Sequence, residues 1–312
     1  MRPPRVRLVG RSTRDRNPHG LEPGGCVRYA AQVHAAFGST LLTHPAPPLQ
    51  GLSPSLLSSS GPEPAAPAAP ASASAAQALP PLDEALVFCN RYDAMGRREQ
   101  RVERMVPPVF PSAPLPWVEI LHLAPVLGEV PLGPWLEAAP AGIRGAGLQG
   151  WTRRAARGRV RPARSLPPWA LLAELDVIFA SDEDLEGHPG LLESLRGLPG
   201  RLLLTHGPFG STAFESGREP RRIPTPRATS LDPTGAGDSF AAATLQGLAR
   251  GMSLPAAAAL GAEAGARCVE HRGLPPVSAF AGLSAGALRR IRPGSRCEPA
   301  RPASPSTPPS SR

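Results

Sequence analysis

The chain has 312 residues, enough for one large α/β domain or two ordinary ones, and because 41% of them are hydrophobic but only 4% aromatic, the core must be mostly Leu, Val and Ala. The formal net charge of +9 raises nucleic acid as a partner. However, the basic residues are all arginine, dispersed, and not interleaved with the aromatic residues that single-strand binders use. Nucleic acid is therefore an unfavoured partner.

Cysteine usage and the N-terminus bear on where the protein works. The four cysteines are far apart and form no CxxC pair, which argues against a disulfide framework or a zinc site. The N-terminal segment "MRPPRVRLVGRSTRD" is too polar for a secretory signal, and no apolar run is long enough to span a membrane. We expect a cytoplasmic protein with no membrane contact.

The first predicted unit is a strand, a loop and a helix. "VRLVG" (6–10) is a short apolar run typical of a buried strand. "CVRYAAQVHAAFGS" (26–39) has apolar residues at helical spacing and ends near Gly38, a predicted C-cap. Asp15 lies in the predicted loop between them, and Gly24-Gly25 opens the helix.

Two segments lack any core-forming pattern. Residues 46–82 are rich in Pro, Ala and Ser, nearly uncharged and without periodicity, and the tail 284–312 is similar in character. Neither offers an apolar face to offset the entropy of ordering, so both are predicted to be disordered. The folded domain is then 1–283, interrupted by 46–82.

The remaining chain alternates between predicted strands and helices. "EALVFCNRY" (84–92) indicates a strand, after which the chain runs to the Pro-rich "PPVFPSAPLP". A regular βα rhythm follows through "WVEILHLAPV", "GPWLEAAP", "GIRGAGLQG", "WALLAEL", "DVIFAS", "GLLESLRGLP" and "RLLLTHGPFGS", and the helical segments "DSFAAATLQGLARG" and "LPAAAALGAEAGARCVEHRG" close it. Such alternation predicts a mostly parallel sheet with helices on both faces.

The stretch "DPTGAGDSF" places Gly235, Ala236, Gly237 and Asp238 at the predicted start of a helix. The N–H groups of a helix N-terminus are unpaired and attract anions, and glycine lets a phosphate approach the backbone closely. A carboxylate there repels a resting phosphate but can take the proton of a hydroxyl that attacks it. The alternative is that Asp238 merely caps the helix.

The motif resembles the C-terminal signature of the ribokinase family, the PfkB-type carbohydrate kinases. Three further segments are similar to that family in order and spacing: "LVG…D…EPGGCVRYAAQVHAAFGS", "DVIFASDEDL" and "LLLTHGPFGS". The resemblance covers most of residues 6–280 and implies a three-layer α/β/α sandwich with a mostly parallel central sheet and a small β lid, here assigned to 84–110.

The resemblance also implies roles for individual residues. Asp238 would be the general base, and Gly235, Ala236 and Gly237 the anion hole. Asp15, Gly24 and Gly25 would contact the sugar hydroxyls, and Thr205, Gly207 and Gly210 would contact the adenine nucleotide. ATP and Mg²⁺ are the implied cofactors, and the lid could form a homodimer.

The chain departs from the family at its Asn-x-x-Glu motif, which helps to hold Mg²⁺ and phosphate through water. Here the motif positions are filled by Ser181 and Asp184, with Glu183 as a substitute. A shorter carboxylate has less reach, and 46–82 stands where the family continues its sheet and builds part of its lid. The basic residue expected near the lid is not identifiable, and its candidates are Arg91, Arg97 and Arg98.

Other polar residues receive structural interpretations. His34, His122 and His206 show no ligand spacing and are interpreted as structural or incidental. Arg153 and Arg154 follow a predicted strand at the edge where α/β folds bind ligands, but solvated charges are the favoured interpretation.

We therefore predict an ATP-dependent kinase that phosphorylates a hydroxyl of a small sugar, nucleoside or polyol. The first alternative is a nucleotide- and sugar-binding protein on the same scaffold that has lost efficient catalysis. An arginine-driven nucleic-acid binder is the second.

Overall fold

A computed structural model describes residues 3–17, 20–44, 85–92, 98–112 and 114–283, and in Asn17, Asn90–Tyr92, Arg98 and Glu99 the backbone alone. The segments predicted to be disordered, 46–82 and 284–312, lie outside these ranges. No helix of the described part is long and apolar enough to cross a bilayer.

The central sheet of the described chain has eight strands in the order β14-β13-β12-β11-β8-β7-β1-β4. Six of them run parallel, and β13 and β14 form an antiparallel edge. Their bounds are β1 Arg5–Val9, β4 Thr40–His44, β7 Val118–Leu123, β8 Ala141–Gly147, β11 Val177–Ser181, β12 Arg201–Thr205, β13 Ser211–Phe214 and β14 Arg221–Ile223.

Helices cover both faces of this sheet. They are α1 Cys26–Ala36, α2 Leu132–Ala138, α3 Gln149–Thr152, α4 Trp169–Leu172, α5 Asp182–Leu185, α6 Leu191–Arg196, α7 Ala236–Leu248 and α8 Leu254–Val269, with 3₁₀ turns at Gly207–Phe209 and Val277–Phe280. The predicted strand at 6–10 and helix at 26–39 correspond to β1 and α1.

The strands are buried on both faces because successive side chains point to opposite sides. In β11, Val177 and Phe179 belong to the core under α1, α7 and α8, whereas Ile178 and Ala180 belong to the core under α2, α4 and α6. The near-continuous apolar runs in the sequence follow from this double burial. The predicted three-layer α/β/α sandwich with a mostly parallel sheet is confirmed.

A second sheet forms the lid. Its six strands run in the order β3-β2-β5-β6-β10-β9. Their bounds are β2 Thr13–Asn17, β3 Gly20–Gly24, β5 Leu86–Tyr92, β6 Arg98–Arg104, β9 Arg153–Ala156 and β10 Arg159–Pro162. The predicted range 84–110 supplies only β5 and β6. The other four strands come from segments that carry too little apolar alternation to be recognised as strands.

The lid changes the distribution of charge. The β9–β10 hairpin brings Arg154, Arg157, Arg159 and Arg161 together around a cavity of about 630 Å³. The arginines are therefore less dispersed in space than the sequence suggests, and one edge of the lid is strongly basic.

Candidate active site

A cleft of about 1670 Å³ lies at the carboxyl ends of the parallel strands, where residues following β7, β8, β11 and β12 line its floor. Its volume exceeds that of a typical single-ligand pocket, which is roughly 300–1,000 Å³. All but one of the twelve predicted site residues line it, namely Asp15, Gly25, Glu183, Asp184, Thr205, Gly207, Gly210, Gly235, Ala236, Gly237 and Asp238. The exception is Gly24.

The start of α7 presents free backbone donors to the cleft. Gly235 is the N-cap, with φ of 80°, and the N–H of Ser239 donates to its carbonyl at 2.9 Å. Within the described ranges, the N–H groups of Gly237 and Asp238 have no hydrogen-bond acceptor. A Cβ added to Gly237 would meet no atom within 4 Å. An anion can therefore approach these two donors from the open cleft.

Two contacts fix the turn before α7. The ring of Tyr29 lies directly against Gly235 and leaves no space for a side chain there. The Asp232 carboxylate accepts from the N–H groups of Thr234 (2.9 Å) and Gly273 (3.0 Å), which ties this turn to the loop after α8. Sequence analysis did not single out Tyr29 or Asp232, although Asp232 stands in the motif itself.

Asp238 lies on the first turn of α7 and forms no side-chain cap at this helix start. Burial raises the pKa of its carboxyl to about 6; a hydrogen bond from the Cys26 thiol lowers it, Asp184 raises it, and Arg153 lowers it. A carboxyl with this pKa is largely ionised at neutral pH yet more basic than an ordinary aspartate, which suits proton transfer. The surroundings favour a chemical role over a simple cap.

The Ser181–Asp184 motif forms a capping box. Asp184 Oδ2 accepts from the backbone N–H and the hydroxyl of Ser181, both at 2.9 Å, while the Asp184 N–H donates to Ser181 Oγ at 3.3 Å. Its other oxygen, Oδ1, is buried without a hydrogen-bond partner. Burial raises the pKa of Asp184, opposed mainly by Arg153. Asp184 Oδ2 therefore caps the helix, whereas Asp184 Oδ1 accepts no hydrogen bond from the protein.

Arg153 stands between this motif and the rest of the cleft. Its Nη2 lies 3.6 Å from Asp184 Oδ1 and 3.7 Å from Glu183 Oε2, and its side chain is only 16% exposed. The interpretation of Arg153 as a solvated charge is therefore wrong, because it begins β9 of the lid and faces inward. In the described chain, no cluster of three His, Cys, Asp or Glu side chains could hold a metal ion by itself.

The predicted substrate residues lie where the lid meets the sheet. Asp15 is in the middle of β2, paired with Glu22 and Phe88, and not in a loop as predicted. Gly24 lies behind it, and a Cβ there would come within 2.6 Å of Asp15 Oδ2, so Gly24 makes room for that carboxylate instead of lining the cleft. Gly25 has φ of 102°, and a Cβ there would collide with the backbone at Thr13.

The predicted nucleotide loop follows β12. Gly207 and Gly210 have φ of 55° and 90°, and a Cβ on Gly210 would overlap the carbonyl of Ile223. His206 connects this loop to α5, because its Nδ1 lies 2.9 Å from Asp182 and its Nε2 lies 2.9 Å from Thr212 Oγ1. The loop is therefore rigidly placed at one end of the cleft.

Several lining residues were missed or dismissed by sequence analysis. Cys26 is buried at the start of α1 beside Asp238, and burial raises the pKa of its thiol. His122 lines the cleft floor although its position in a core strand gave no local signal. The lid candidates Arg91, Arg97 and Arg98 lie outside the described side chains.

Comparisons with known proteins agree with this geometry. Residues 164–277 match the model of the pfkB family carbohydrate kinases. The chain is 38% identical over 112 residues to fructoselysine 6-kinase from Escherichia coli K12, a match that covers 34% of this chain and 42% of that enzyme. It is 43% identical over 74 residues to inositol 3-kinase from rice, covering 24% and 18%. The chain thus matches less than half the length of these relatives.

Solved structures extend the likeness to nearly the whole fold. A pyrophosphate-dependent kinase of the ribokinase family in complex with sulfate superposes with a TM-score of 0.64 at 20% identity, over 88% of this chain and 99% of the other. Ribokinase from Cryptococcus neoformans in complex with ADP gives 0.60 at 19%, over 91% and 98%.

The described part of the chain has a ribokinase-like fold. Residues 164–277 of this fold match the pfkB family of carbohydrate kinases, in agreement with the resemblance noted in the sequence.

Proposed function

We propose that the protein is an ATP-dependent kinase that phosphorylates a hydroxyl of a small sugar or polyol. The observation that carries the proposal is the start of α7, where a partly buried aspartate with a raised pKa stands beside two backbone N–H groups without acceptors in the described chain. The family match and the names of the relatives, which include fructoselysine and inositol kinases, support this substrate class.

In the proposed reaction, the acceptor hydroxyl gives its proton to Asp238 as its oxygen attacks the γ-phosphorus. The bond from that phosphorus to the bridging oxygen breaks, and ADP leaves. The N–H groups of Gly237 and Asp238 stabilise the charge on the transferring phosphoryl group, a contribution that typically amounts to about 10²–10³ in rate per donor.

The acceptor and the donor would occupy opposite ends of the cleft. Asp15 projects from the lid strand β2, and Gly25 lies beside it, so this end would hold the sugar or polyol. The loop with Thr205, Gly207 and Gly210 would hold the nucleotide. A nucleoside remains a possible acceptor class within this proposal.

The site residues fit an indirectly held Mg²⁺. Asp184 Oδ1 is a buried carboxylate oxygen without a hydrogen bond, and Glu183 is adjacent. Mg²⁺ keeps several waters and is usually bound by one or two carboxylates together with substrate phosphates. It would neutralise phosphate charge in this position. A cytoplasmic location and a homodimer through the lid stay predictions.

A catalytically weakened binding protein is the second candidate. The capping box occupies Asp184 Oδ2, and Arg153 pairs with both acidic side chains that would assist the metal. These contacts favour reduced metal affinity, whereas the α7 start favours retained chemistry.

A coupled assay tests the proposal. Purified protein would be screened with Mg·ATP against fructoselysine, myo-inositol, ribose, fructose and nucleosides, with ADP release as the readout. Because one structural neighbour is pyrophosphate-dependent, the same panel would be run with pyrophosphate, with phosphate release as the readout. Acceptor-dependent ADP release supports the proposal. Activity with pyrophosphate alone would correct the donor, and saturable ATP binding without turnover would favour the weakened protein.

A further inference from the structure

A series of buried, hydrogen-bonded polar side chains runs from α7 to the floor of the cleft. Gln246 Nε2 lies 2.7 Å from His34 Nδ1, and His34 Nε2 lies 3.0 Å from His122 Nδ1. His34 and Gln246 are fully buried and His122 is 2% exposed. These residues come from α1, β7 and α7, so only the folded protein assembles the chain.

Two of these hydrogen-bonded side chains lie farther along α1 and α7 than the contact between Cys26 and Asp238. Helices α1 and α7 pack together, and His34 and Gln246 each lie eight residues beyond Cys26 and Asp238, the pair at the start of the two helices. Eight residues of helix correspond to roughly 12 Å. The chain therefore supports the deep part of the cleft, below the proposed general base.

Arg250 sets the direction of every hydrogen bond in the chain. Its guanidinium contacts the side-chain oxygen of Gln246 and also donates to the Gln246 carbonyl at 2.8 Å. A guanidinium has donors only, so Oε1 must face it and the NH₂ group must face His34 and Ser39. The opposite amide orientation would set two donors against each other.

The tautomers of both histidines follow from this orientation. Because Gln246 donates to His34 Nδ1, that nitrogen is an acceptor and the proton of His34 is on Nε2. His34 Nε2 then donates to His122 Nδ1, so the proton of His122 is also on Nε2. Burial lowers the pKa of His122 to about 3 and lowers that of His34, in agreement with two neutral rings.

The last donor of the chain has no protein acceptor. Among the described residues, no group accepts a hydrogen bond from His122 Nε2, and His122 lines the cleft. His122 Nε2 is not one of the fully buried side-chain atoms that lack a hydrogen-bond partner, so it is open to the cleft, and a ligand oxygen or water there satisfies its N–H group. We propose that His122 Nε2–H, held in this tautomer by Arg250 through Gln246 and His34, donates to an oxygen of the acceptor sugar or polyol and so determines acceptor specificity.

The identity of the ligand rests on the proposed function, whereas the tautomers of His34 and His122 do not. A hydroxyl or ring oxygen can accept this hydrogen bond, whereas a methylene group in its place would leave the donor unsatisfied. A site that hydrogen-bonds a substrate hydroxyl discriminates strongly against analogues that lack it. We therefore expect one deoxy analogue, the one that lacks the oxygen contacted by His122, to be a poor substrate.

Long-range ¹H–¹⁵N NMR of the full chain with labelled histidine measures the tautomers directly. We expect the signals of His34 and His122 to show the Nε2–H form at neutral pH. In Gln246→Glu, a carboxylate replaces the amide donor and accepts from His34 Nδ1–H, so both rings should change to the Nδ1–H form. A wild-type His122 with its proton on Nδ1, or protonated, would overturn the inference.

Steady-state kinetics tests the contact between His122 and the acceptor, with an acceptor identified in the coupled assay described above. His122→Leu should raise the KM for that acceptor by about tenfold or more, with the KM for ATP within twofold, and Gln246→Glu should act in the same direction. His122→Gln keeps an acceptor for His34 and a donor for the cleft, so it should retain an acceptor KM near wild type. His271→Gln, outside the cleft, controls for loss of an imidazole.

Melting curves accompany each variant, and a His122→Leu protein that is folded and has an unchanged acceptor KM would refute the role in specificity. If the wild type phosphorylates no acceptor with either donor, the proposed function and the substrate contact both fail. The NMR measurement would still decide whether Gln246 and His34 keep the proton of His122 on Nε2.

Discussion

The ring of Tyr29 packs against the backbone of Gly235, so that a Cβ at this position would overlap the ring. Gly235 also has a φ of 80°, which L side chains rarely adopt. Two residues on, Gly237 faces open cleft instead. The two glycines of one motif are thus required for different reasons, one by packing and one by ligand access.

This difference predicts opposite results for two alanine substitutions. Gly235→Ala should lower the melting temperature and the activity together, because the ring and the left-handed backbone both oppose a side chain. Gly237→Ala should melt near the wild type but bind Mg·ATP at least about tenfold more weakly, because the methyl group enters the space of the proposed phosphoryl group. Calorimetry and thermal melts measure both. Unchanged nucleotide affinity in Gly237→Ala would contradict the anion hole.

Asp238→Asn should separate activity from stability. If Asp238 is the general base, phosphoryl transfer should fall by about 10²-fold or more. Burial raises the folded-state pKa of Asp238 from 3.8 to about 6, so the free energy of unfolding decreases as the pH rises through this window. Above about pH 6, where the carboxylate is ionised, the free energy of unfolding is lower by at most about 3 kcal/mol.

Asparagine removes that cost. The variant should therefore be more stable than the wild type at pH 8, and the difference should vanish below about pH 4. Denaturant unfolding at both pH values measures the effect. A variant with full turnover would show that Asp238 is not the base, and equal stability at pH 8 would show that its carboxyl is not shifted.

The pH dependence of the reaction should report the same group. A general base must be ionised, so kcat/KM should rise as the pH increases through about 6 and then level off. Arg153 lowers the pKa of Asp238, so the rise should shift to higher pH in Arg153→Gln. A rate that is flat between pH 5 and 7.5 would argue against an aspartate base in this environment.

Arg153→Gln should also change the metal requirement. The substitution removes the cation that lies 3.6 Å from Asp184 and 3.7 Å from Glu183, which leaves both carboxylates free to order metal-bound water. We expect the concentration of free Mg²⁺ at half-maximal rate to fall several-fold. Arg154→Gln is the matched control, because the neighbouring Arg154 donates to the carbonyl of Pro162 and has no contact with the motif. Equal Mg²⁺ dependence in both variants would show that Arg153 does not compete with the metal.

Much of the fold follows from local sequence patterns. Runs such as "DVIFAS" and "RLLLT" become β11 and β12 because buried parallel strands need apolar residues on both faces. The α7 motif is equally local, since an anion site needs glycine and a helix start within a few residues. These short-range requirements allowed the sheet and the start of α7 to be predicted, and the family resemblance supplied the other predicted residues that line the cleft.

Long-range contacts decided the rest. The sequence determined that Asp238 opens a helix, but only the tertiary structure buries it and brings it near Asp184, and both effects raise its pKa. Arg153 was interpreted as solvated because its partner Asp184 is 31 positions away. His34 and His122 were interpreted as structural or incidental because the residues that orient them, Gln246 and Arg250, are distant in the sequence. Burial and charge pairing depend on which distant segments meet, and periodicity within one segment carries no record of that.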